Sequence, residues 1–333
     1  MTSNTTTAPK IVSLTEIESI TSRSDFHNKL VQGIADGFIQ YQAGGFFAPP
    51  IQTLGAPPMA PFVANDDNYA GQVCVKSGYF QNNLYYVIKV AAGGHPLPNS
   101  GLMQIYSQSS GRLLALLLDE GILTELRTAA VSALVCRVWL QRAAKNKDDK
   151  NNAITKIGMV GTGIQARYQL EAIQHETSCR HLVVYGRTAT KVQAYQADMQ
   201  AKGWTVDIAT DPNDLLQQCE VVITTTTARS PVLTTTADKT LSTRLLICIG
   251  SDAPGKTEVA NAILQCATQR IADLAEQSRQ RGEFQSYSGQ DGIINLGDWL
   301  QRTEDPVDGL VVFDSSGVAL QDCVIAQMVY ECL

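Results

Sequence analysis

The stretch Ile157-Gly-Met-Val-Gly161-Thr-Gly163-Ile-Gln-Ala166 decides the fold. An apolar run leads into the pattern G-x-G-x-x-A and then into residues with helical spacing, which is the strand–turn–helix order of a dinucleotide-binding unit. In such a turn Gly161 permits the tight bend, Gly163 lets a pyrophosphate approach the backbone, and Ala166 keeps the helix close to the strand. The helix N-terminus then directs its amide groups at the phosphates. The predicted cofactor-binding residues of this turn are Gly161, Thr162, Gly163, Ile164, Gln165 and Ala166.

Strands and helices alternate along the chain from this stretch onward. The predicted strands are 154–160, 181–185, 205–208, 221–225, 245–249 and 270–272. Helices fit between several of them, including 165–175 and 189–202. Regular alternation of this kind predicts an α/β domain over 128–316, with a doubly wound parallel sheet of the Rossmann type that binds NAD(P).

The first part of the chain has a different pattern. Helical spacing of apolar residues predicts one helix over about 14–42. Five of the twelve prolines fall in 44–62, which predicts a loop without a helix or a central strand. The predicted strands that follow are 72–75, 84–90, 102–107 and 113–119. A long helix is predicted over about 124–145. We therefore expect a separate mixed α+β domain made of 1–127 and the C-terminal return, 317–333.

Composition and charge narrow the class of function. Lys plus Arg number 26 against 32 for Asp plus Glu, a balance of −6 without basic blocks, which argues against a nucleic-acid-binding protein. The uncharged apolar runs are far shorter than the roughly 20 residues of a membrane span. The eight cysteines show no C-x-x-C pattern and no paired spacing with the four histidines, so we expect neither disulfides nor a metal site. Free thiols are typical of the reducing cytoplasm, where we expect the protein.

The end of the second strand in the predicted sheet bears on the choice of cofactor. Val183-Val-Tyr-Gly186-Arg187-Thr188 offers no acid where an NAD site usually carries Asp or Glu. Arg187 suits a 2′-phosphate and Thr188 is placed to hydrogen-bond it, which favours NADP(H). If Arg187 instead caps the strand and stacks on adenine, NAD(H) stays open. The remaining predicted cofactor residues are Gly186, Thr225, Thr226, Gly250 and Ser251.

Four segments of the chain share the order and separation of motifs found in one known family. They are Gly121-Ile-Leu-Thr-Glu-Leu-Arg127-Thr-Ala-Ala130, the turn Gly161–Ala166, Ile249-Gly-Ser-Asp252-Ala-Pro-Gly-Lys-Thr-Glu258 and Gly317-Val-Ala-Leu-Gln-Asp322. Together they resemble the ornithine cyclodeaminase/mu-crystallin family, from about Leu14 to the C-terminus. The resemblance implies hydride transfer between a nicotinamide cofactor and Cα of an amino or imino acid. It also implies a homodimer formed through the first domain, which binds the substrate.

The resemblance further implies roles for individual residues. Asp252 matches the group that exchanges a proton with the substrate nitrogen or water, although Asp-x-Pro-Gly is also good turn chemistry. Arg127 matches the arginine that grips the substrate carboxylate, and no acid lies three or four positions away to hold it in the helix. Lys89 interrupts an apolar strand and matches a lysine that contacts the same carboxylate. Lys76 is a second candidate for this role.

One position departs from the family pattern. The family usually carries an arginine in the proline-rich loop, where this chain has Gln52. A neutral amide cannot supply that charge, so either Lys76 replaces the arginine or the polar groups of the substrate differ from those of ornithine. Val318 is implied to lie near the substrate.

Three functions compete at this point. The first is reduction of a small imino acid such as pyrroline-2-carboxylate with NAD(P)H. The second is cyclodeamination of ornithine or lysine to proline or pipecolate, with release of ammonia and a recycled NAD⁺. The third is a non-catalytic protein of the mu-crystallin type that binds a nucleotide or another small ligand. The motifs do not separate the two reactions, because both need the same residues around the substrate.

Overall fold

A computed structural model describes residues 8–55, 72–93, 100–144, 154–234, 241–289, 292–302 and 309–333. The chain divides into two compact units. The first unit comprises Met1–Arg127 and Ala319–Leu333, and the second unit comprises Thr128–Val318. None of the described helices is long and apolar enough to cross a membrane.

The elements are numbered in chain order. The strands are β1 (Lys10–Val12), β2 (Phe46–Phe47), β3 (Gln52–Gly55), β4 (Gln72–Phe80), β5 (Tyr85–Gly93), β6 (Gly101–Ser107), β7 (Leu113–Leu117), β8 (Ile157–Val160), β9 (His181–Tyr185), β10 (Thr205–Ile208), β11 (Val221–Thr224), β12 (Leu245–Cys248), β13 (Gln269–Ala272), β14 (Ile293–Asn295) and β15 (Val311–Asp314). The helices are α1 (Leu14–Thr21), α2 (Phe26–Gln42), α3 (Ile122–Ala143), α4 (Ile164–Ile173), α5 (Ala189–Ala201), α6 (Asn213–Gln218), α7 (Asn261–Cys266), α8 (Ala275–Arg281), α9 (Leu296–Gln301) and α10 (Ala319–Glu331). A 3₁₀ turn covers Glu283–Ser286.

The first unit is a mixed sheet with helices on one face. Its strand order is β1-β7-β6-β5-β4-β2, with β3 also paired to β4. The strands from β4 to β7 are antiparallel, and β1 joins β7 in parallel. Helix α10 packs on α2, β4 and β5. Gly37 allows this close approach, because a Cβ there would lie 3.1–3.3 Å from side-chain atoms of Leu320, Phe80 and Val324.

The helix predicted over 14–42 is two helices. A capping box starts α1, in which Ser13 Oγ accepts from the Glu16 amide and the Glu16 carboxylate accepts from the Ser13 amide. Helix α1 ends at Thr21 and α2 begins at Phe26. The polar Ser-Arg-Ser-Asp segment between them carries no apolar residue to bury, so the prediction of a single helix was wrong there.

The proline-rich segment also contains more structure than predicted. Strand β3 starts at Gln52, two residues after the second proline of the pair Pro49 and Pro50, and pairs with β4. Proline lacks an amide donor, and both prolines precede the paired residues, so they do not interrupt the ladder. The rest of the predicted loop, from residue 56, lies outside the described residues.

The second unit confirms the predicted parallel sheet. Its eight strands are all parallel in the order β10-β9-β8-β11-β12-β15-β13-β14. Strands β8, β11, β12 and β15 are buried along their whole length, which explains their continuous apolar sequences. Strand order reverses between β8 and β11, and ligands of open α/β sheets bind beyond the carboxyl ends of the strands at such a point.

Candidate functional site

The glycine turn joins β8 to α4 in the second unit. Gly161 has φ +114°, and a Cβ there would lie 2.6 Å from Thr225 Oγ1 and 3.1 Å from the Thr225 carbonyl oxygen. Glycine is therefore required both for the backbone conformation and for the close approach. Gly163 is the N-cap of α4, and a Cβ on it would meet no atom within 4 Å among the described residues. The turn thus leaves space above the first amides of α4, which suits an anion such as a pyrophosphate.

The segment after β9 borders this turn. A Cβ on Gly186 would lie 2.8 Å from Val192 and 3.1 Å from Thr162, so Gly186 brings the two loops together. Arg187 and Thr188 are exposed, and Thr188 is the N-cap of α5. Exposed Arg187 directly follows Gly186, which lies against Thr162 of the turn. This position suits contact with a ligand that lies over the turn.

Loops at the ends of β11 and β12 lie against the glycine turn or beside each other. The Thr225 amide donates to the Val160 carbonyl at 2.8 Å. Glu258 joins the two loops, because its carboxylate accepts from Thr226 N at 2.5 Å and from Gly250 N at 2.8 Å. Ser251 is buried, and its hydroxyl donates to the Lys256 carbonyl at 2.7 Å. The predicted cofactor residues of the second unit therefore share one edge of its sheet.

Asp252 lies in the turn after β12 and is exposed. Its carboxylate pairs with Lys256 Nζ at 2.5 Å, and the side chain is 58% exposed. The guanidinium of Arg281 donates to the Asp252 carbonyl at 2.9 and 2.6 Å. Gly255 has φ +77°, which a tight turn after Pro254 requires. The turn thus holds Asp252 in place through its backbone and leaves its carboxylate accessible.

A group of buried carboxylates lies at the same sheet edge, and we call it the acidic cluster: Glu258, Asp273, Glu283 and Asp314. The carboxylate of Glu283 accepts from the amides of Glu258 and Val259, at 3.0 and 2.8 Å. Burial, and then the charge of Glu258, raises the pKa of Glu283 to about 7. Burial likewise raises the pKa of the other three carboxyls.

The acidic cluster also organises the loop before α10. Asp273 accepts from the Gly317 amide at 2.7 Å and from Ser316 Oγ at 2.9 Å. Val318 follows directly and is buried. Of this cluster, sequence reasoning quoted Glu258 only as part of a motif and did not identify the others. Their signal was weak, because buried acids that bind backbone amides follow no fixed spacing.

The first unit contains a second group of charges, three buried and one half-buried, which we call the cationic cluster: Lys76, Lys89, Arg127 and Asp322. Asp322 Oδ1 lies 3.1 Å from Lys89 Nζ and 3.0 Å from Arg127 Nε. Lys89 and Arg127 are 5% exposed and Asp322 is 2% exposed. Burial by itself would raise the pKa of Asp322. The charges of Lys89, Arg127 and Lys76 outweigh this effect and hold the pKa of Asp322 below its ordinary value. Asp322 is therefore ionised and orients both cations.

Lys76 completes this cluster from the neighbouring strand. It lies directly opposite Lys89 in the β4–β5 ladder and is half-buried. Burial, followed by the charges of Arg127 and Lys89, lowers the pKa of Lys76 to about 8. Burial also lowers the pKa of Lys89. Gln52 is not part of the cluster, because it lies opposite Val75 and so on the other face of the sheet.

Two residues of α10 that contact Arg127 were quoted in the sequence motif without a role. Gln321 accepts a hydrogen bond from Arg127 Nη1, and Asp322 forms the ion pairs described above. The available signal was an acid within a helix that is otherwise mostly apolar, since a buried acid needs a cationic partner. The partner itself was not predictable, because Lys89 is 233 residues away in the chain.

The chain has the architecture of a two-unit dinucleotide-binding oxidoreductase. One unit contains the parallel sheet with its glycine turn, and the other contains a buried pair of cations. The chain belongs to the ornithine cyclodeaminase/mu-crystallin family, whose model matches residues 17–333. An alanine dehydrogenase of Archaeoglobus fulgidus is 29% identical over 240 residues, covering 69% of each chain. A Δ¹-pyrroline-2-carboxylate reductase of Bacillus cereus is 25% identical over 245 residues, covering 70% of each.

Solved structures are similar over nearly the whole chain. An archaeal alanine dehydrogenase dimer with bound NAD aligns with a TM-score of 0.76 and 25% identity, covering 97% of this chain and 95% of that one. A lysine cyclodeaminase aligns with a TM-score of 0.79 and 23% identity, covering 98% and 92%. The predicted family and fold class are thus confirmed, and relatives in this family are NAD(P)-dependent reductases, dehydrogenases or cyclodeaminases.

Proposed function

We propose that this protein is an NAD(P)(H)-dependent reductase of small α-imino acids, the class of ketimines to which Δ¹-pyrroline-2-carboxylate belongs. The observation that carries the proposal is the pair Lys89 and Arg127, which are buried together on one oxygen of Asp322. Two cations and one carboxylate leave this trio with a formal charge of +1. A buried net charge is costly unless an ion of opposite sign joins it, and the α-carboxylate of an imino acid supplies that ion.

The arrangement also lowers the cost of binding. Asp322 and Gln321 fix the Arg127 guanidinium before any substrate arrives, so its side chain loses little freedom when a carboxylate binds. A fixed guanidinium and ammonium orient a planar carboxylate better than a mobile pair does. We therefore assign Lys89 and Arg127 to the substrate α-carboxylate and Asp322 to positioning them.

The second unit supports a dinucleotide cofactor. The space above Gly163 and the amides that begin α4 fit a pyrophosphate, and Gly161 and Gly186 permit the close packing of the surrounding loops. Exposed Arg187 and Thr188 favour the 2′-phosphate of NADP(H), with NAD(H) as the alternative. A bound nicotinamide supplies the hydride for reduction at Cα.

We assign proton exchange with the substrate nitrogen to Asp252. Its carboxylate is exposed and can take up protons from water, while Lys256 and Arg281 hold its turn. A carboxylate in a fixed position is a suitable general acid–base group for an imine nitrogen. The same turn also ends β12, and this structural function is compatible with proton exchange by Asp252.

We also propose a homodimer of the cytoplasm that forms through the first unit. The sheet face opposite α2 and α10 carries half-buried apolar side chains, among them Val75, Ile88 and Val90. Apolar surface of this kind is typical of subunit interfaces. The similar archaeal alanine dehydrogenase is a dimer. All eight cysteines are free thiols, which supports a reducing compartment.

The test follows the absorbance of NADPH and NADH with pyrroline-2-carboxylate, piperideine-2-carboxylate and imines formed from 2-oxo acids and ammonia. We expect oxidation of the cofactor that depends on the imine. Arg127→Gln should lower kcat/KM by about 100-fold or more, because it removes a charged partner of the carboxylate. The matched control is Arg112→Gln, since Arg112 is an exposed arginine of the same unit. Asp252→Asn should abolish turnover and leave the dinucleotide affinity largely unchanged.

Other outcomes identify the competing functions. Release of ammonia from ornithine or lysine with catalytic NAD⁺, and without net cofactor oxidation, would replace the reductase by a cyclodeaminase. Tight dinucleotide binding without turnover of any imine or diamine would favour the non-catalytic protein. Full activity of Asp252→Asn would contradict its assigned role.

A further inference from the structure

The turn that carries Asp252 is held by a glutamine of the 3₁₀ turn, Gln285. Its Oε1 accepts from the Gly255 amide at 2.9 Å. Its Nε2 donates to the Ala253 carbonyl at 3.3 Å and to the Lys256 carbonyl at 3.2 Å. One side chain therefore binds backbone groups on both sides of the bend.

The bend itself is short. The Lys256 amide donates to the Ala253 carbonyl at 3.2 Å, and Gly255, with φ +77°, follows Pro254. Proline followed by a glycine with positive φ is typical of a type II turn. The hydrogen bond that closes such a turn does not use the amide of the glycine, and here that amide donates to Gln285 instead.

The hydrogen bonds also determine the orientation of the Gln285 amide. A flipped amide would set its NH₂ group against the Gly255 N–H and its oxygen against carbonyl oxygens. Nε2 also donates to the Gly282 carbonyl at 2.8 Å, which ties the side chain to its own 3₁₀ turn. That turn is anchored in the core by Phe284, which is 1% exposed. Gln285 thus links the turn of Asp252 to a buried part of the second unit.

The stability of the fold gives a weak reason for this arrangement. Pro254 and Gly255 are exposed, so water can bind the backbone of the turn, and each hydrogen bond within the protein contributes only about 1 kcal/mol net. Proton exchange by Asp252 is far more sensitive, since a misplacement of about 1 Å can lower a rate by about 100-fold. A carboxylate on an exposed turn needs support of this kind, because loops hold a catalytic group less precisely than helices or strands do.

We propose that Gln285 is a positioning residue, which fixes the turn 252–256 and thereby holds the Asp252 carboxylate where proton exchange with the imine nitrogen requires it. This inference rests on the proposed function and adds a residue to its machinery. In the reaction Cα receives the hydride, the electron pair of the C=N bond binds a proton at nitrogen, and Asp252 transfers that proton after taking it up from water. Gln285 binds the backbone of the turn, so it acts through Asp252 and takes no part in bond making.

The test measures the reduction of pyrroline-2-carboxylate by Gln285→Ala. The bond from the Lys256 amide to the Ala253 carbonyl remains, as do the bonds from Arg281 to the Asp252 carbonyl, so the variant should fold. We expect kcat to fall by about 30-fold, because the carboxylate is no longer fixed, and the dinucleotide Kd to change by less than about twofold. Thermal unfolding verifies that the variant is folded.

Two further variants control this comparison. Gln285→Glu keeps the acceptor for the Gly255 amide but sets an oxygen against the carbonyls, so it should be at least as slow as Gln285→Ala. Gln265→Ala is the matched control, because Gln265 is an exposed glutamine of the same unit whose amide donates to Ser288 Oγ. It should leave kcat unchanged.

Two measurements separate positioning from a general loss of structure. A misplaced Asp252 makes proton transfer the slow step, so kcat of Gln285→Ala should fall more in D₂O than kcat of the wild type does. Hydrogen–deuterium exchange of peptides that cover 252–256 should be faster in the variant, since the Gly255 amide loses its acceptor.

Each result decides on the role of Gln285. Faster exchange with an unchanged kcat would overturn the proposal, because the turn would be loosened without an effect on the reaction. A lower kcat without a larger effect of D₂O would indicate a general structural role and would also overturn it. If the wild type reduces no imine but releases ammonia from ornithine or lysine, the reductase proposal fails, and the same comparison on ammonia release decides on Gln285. Absence of both reactions would overturn both proposals.

Discussion

The two units bury their charges in different ways. In the cationic cluster of the first unit, Lys89 and Arg127 meet the side-chain carboxylate of Asp322. In the acidic cluster of the second unit, carboxylates meet neutral donors, as where Glu258 accepts from Thr224 Oγ1 and two backbone amides. The first arrangement joins side chains from distant segments, and the second ties loops to one another through the backbone.

The difference lies in how each cluster is neutralised. Burial raises the pKa of the carboxyls in the acidic cluster, so they can lower their charge by taking up protons. The pKa of Asp322 is instead held below its ordinary value by the cations around it. The acidic cluster is thus complete without a ligand, whereas the cationic cluster keeps a net positive charge that suits an anion. Three predictions test this contrast.

The largest effect is expected for Asp322→Asn. The change leaves Lys89 and Arg127 buried without their carboxylate, which should lower the free energy of unfolding by about 3–5 kcal/mol at pH 7. Urea denaturation followed by circular dichroism measures it. Asp25→Asn is the matched control, because Asp25 forms an exposed pair with Lys29, and it should leave the midpoint unchanged. An unchanged midpoint for Asp322→Asn would show that the cationic cluster does not depend on its carboxylate.

A smaller effect is expected for Glu258→Gln, with Glu283→Gln as its comparison. Both oxygens of Glu258 accept hydrogen bonds from amides. In a glutamine, one of these acceptors becomes an NH₂ group that faces an N–H donor, which should lower the free energy of unfolding by about 2–3 kcal/mol. The Glu258 amide donates to both oxygens of Glu283, at 3.0 Å each, whereas Thr257 Oγ1 and the Val259 amide donate to one of them. A glutamine whose oxygen takes that shared position can keep one bond from each of the three donors. The cost of Glu283→Gln should therefore be less than about 1 kcal/mol at pH 8, where Gln also removes a like charge.

Urea denaturation of both variants at pH 8 decides between these outcomes. Equal destabilisation would mean that the geometry of the acceptors does not distinguish the two residues. The same result would contradict the view that removing a negative charge from the acidic cluster is favourable for stability.

The smallest effect, and one of opposite sign, is expected for Lys76→Met. Removing the charge of Lys76 relieves its repulsion by Lys89 and Arg127. The free energy of unfolding at pH 7 should therefore rise by roughly 1 kcal/mol, after allowance for the partial exposure of Lys76. The folded pKa of Lys76, about 8, lies below the usual 10.5. Between these values the unfolded chain binds more protons, so wild-type stability gains with rising pH and the advantage of the variant shrinks.

Denaturation of wild type and Lys76→Met at pH 7, 9 and 10.5 follows this change. The neighbouring groups that act on Lys76 are Arg127, Lys89, Asp322 and Cys74. Lower stability of the variant at pH 7 would indicate that Lys76 stabilises the fold.

Sequence reasoning succeeded where the structural cause is local. The glycine turn was predictable because Gly161 adopts a φ that other residues avoid and because strand and helix follow it directly. The parallel sheet was predictable from alternating elements. The break between α1 and α2 was missed, since apolar spacing continues on both sides of a short polar segment. The position of Gln52 on the other sheet face also needed the register of β3.

The roles suggested for Lys89 and Arg127 came from resemblance to a family, and their carboxylate partner came only from the folded chain. Local conformational preference and periodicity were enough for the dinucleotide turn and the fold class, because those depend on neighbouring residues. The cationic cluster joins β4, β5, α3 and α10, whose meeting depends on strand register and helix packing. Contacts between residues so far apart in the chain form when the whole core is buried, and no short stretch of sequence encodes them.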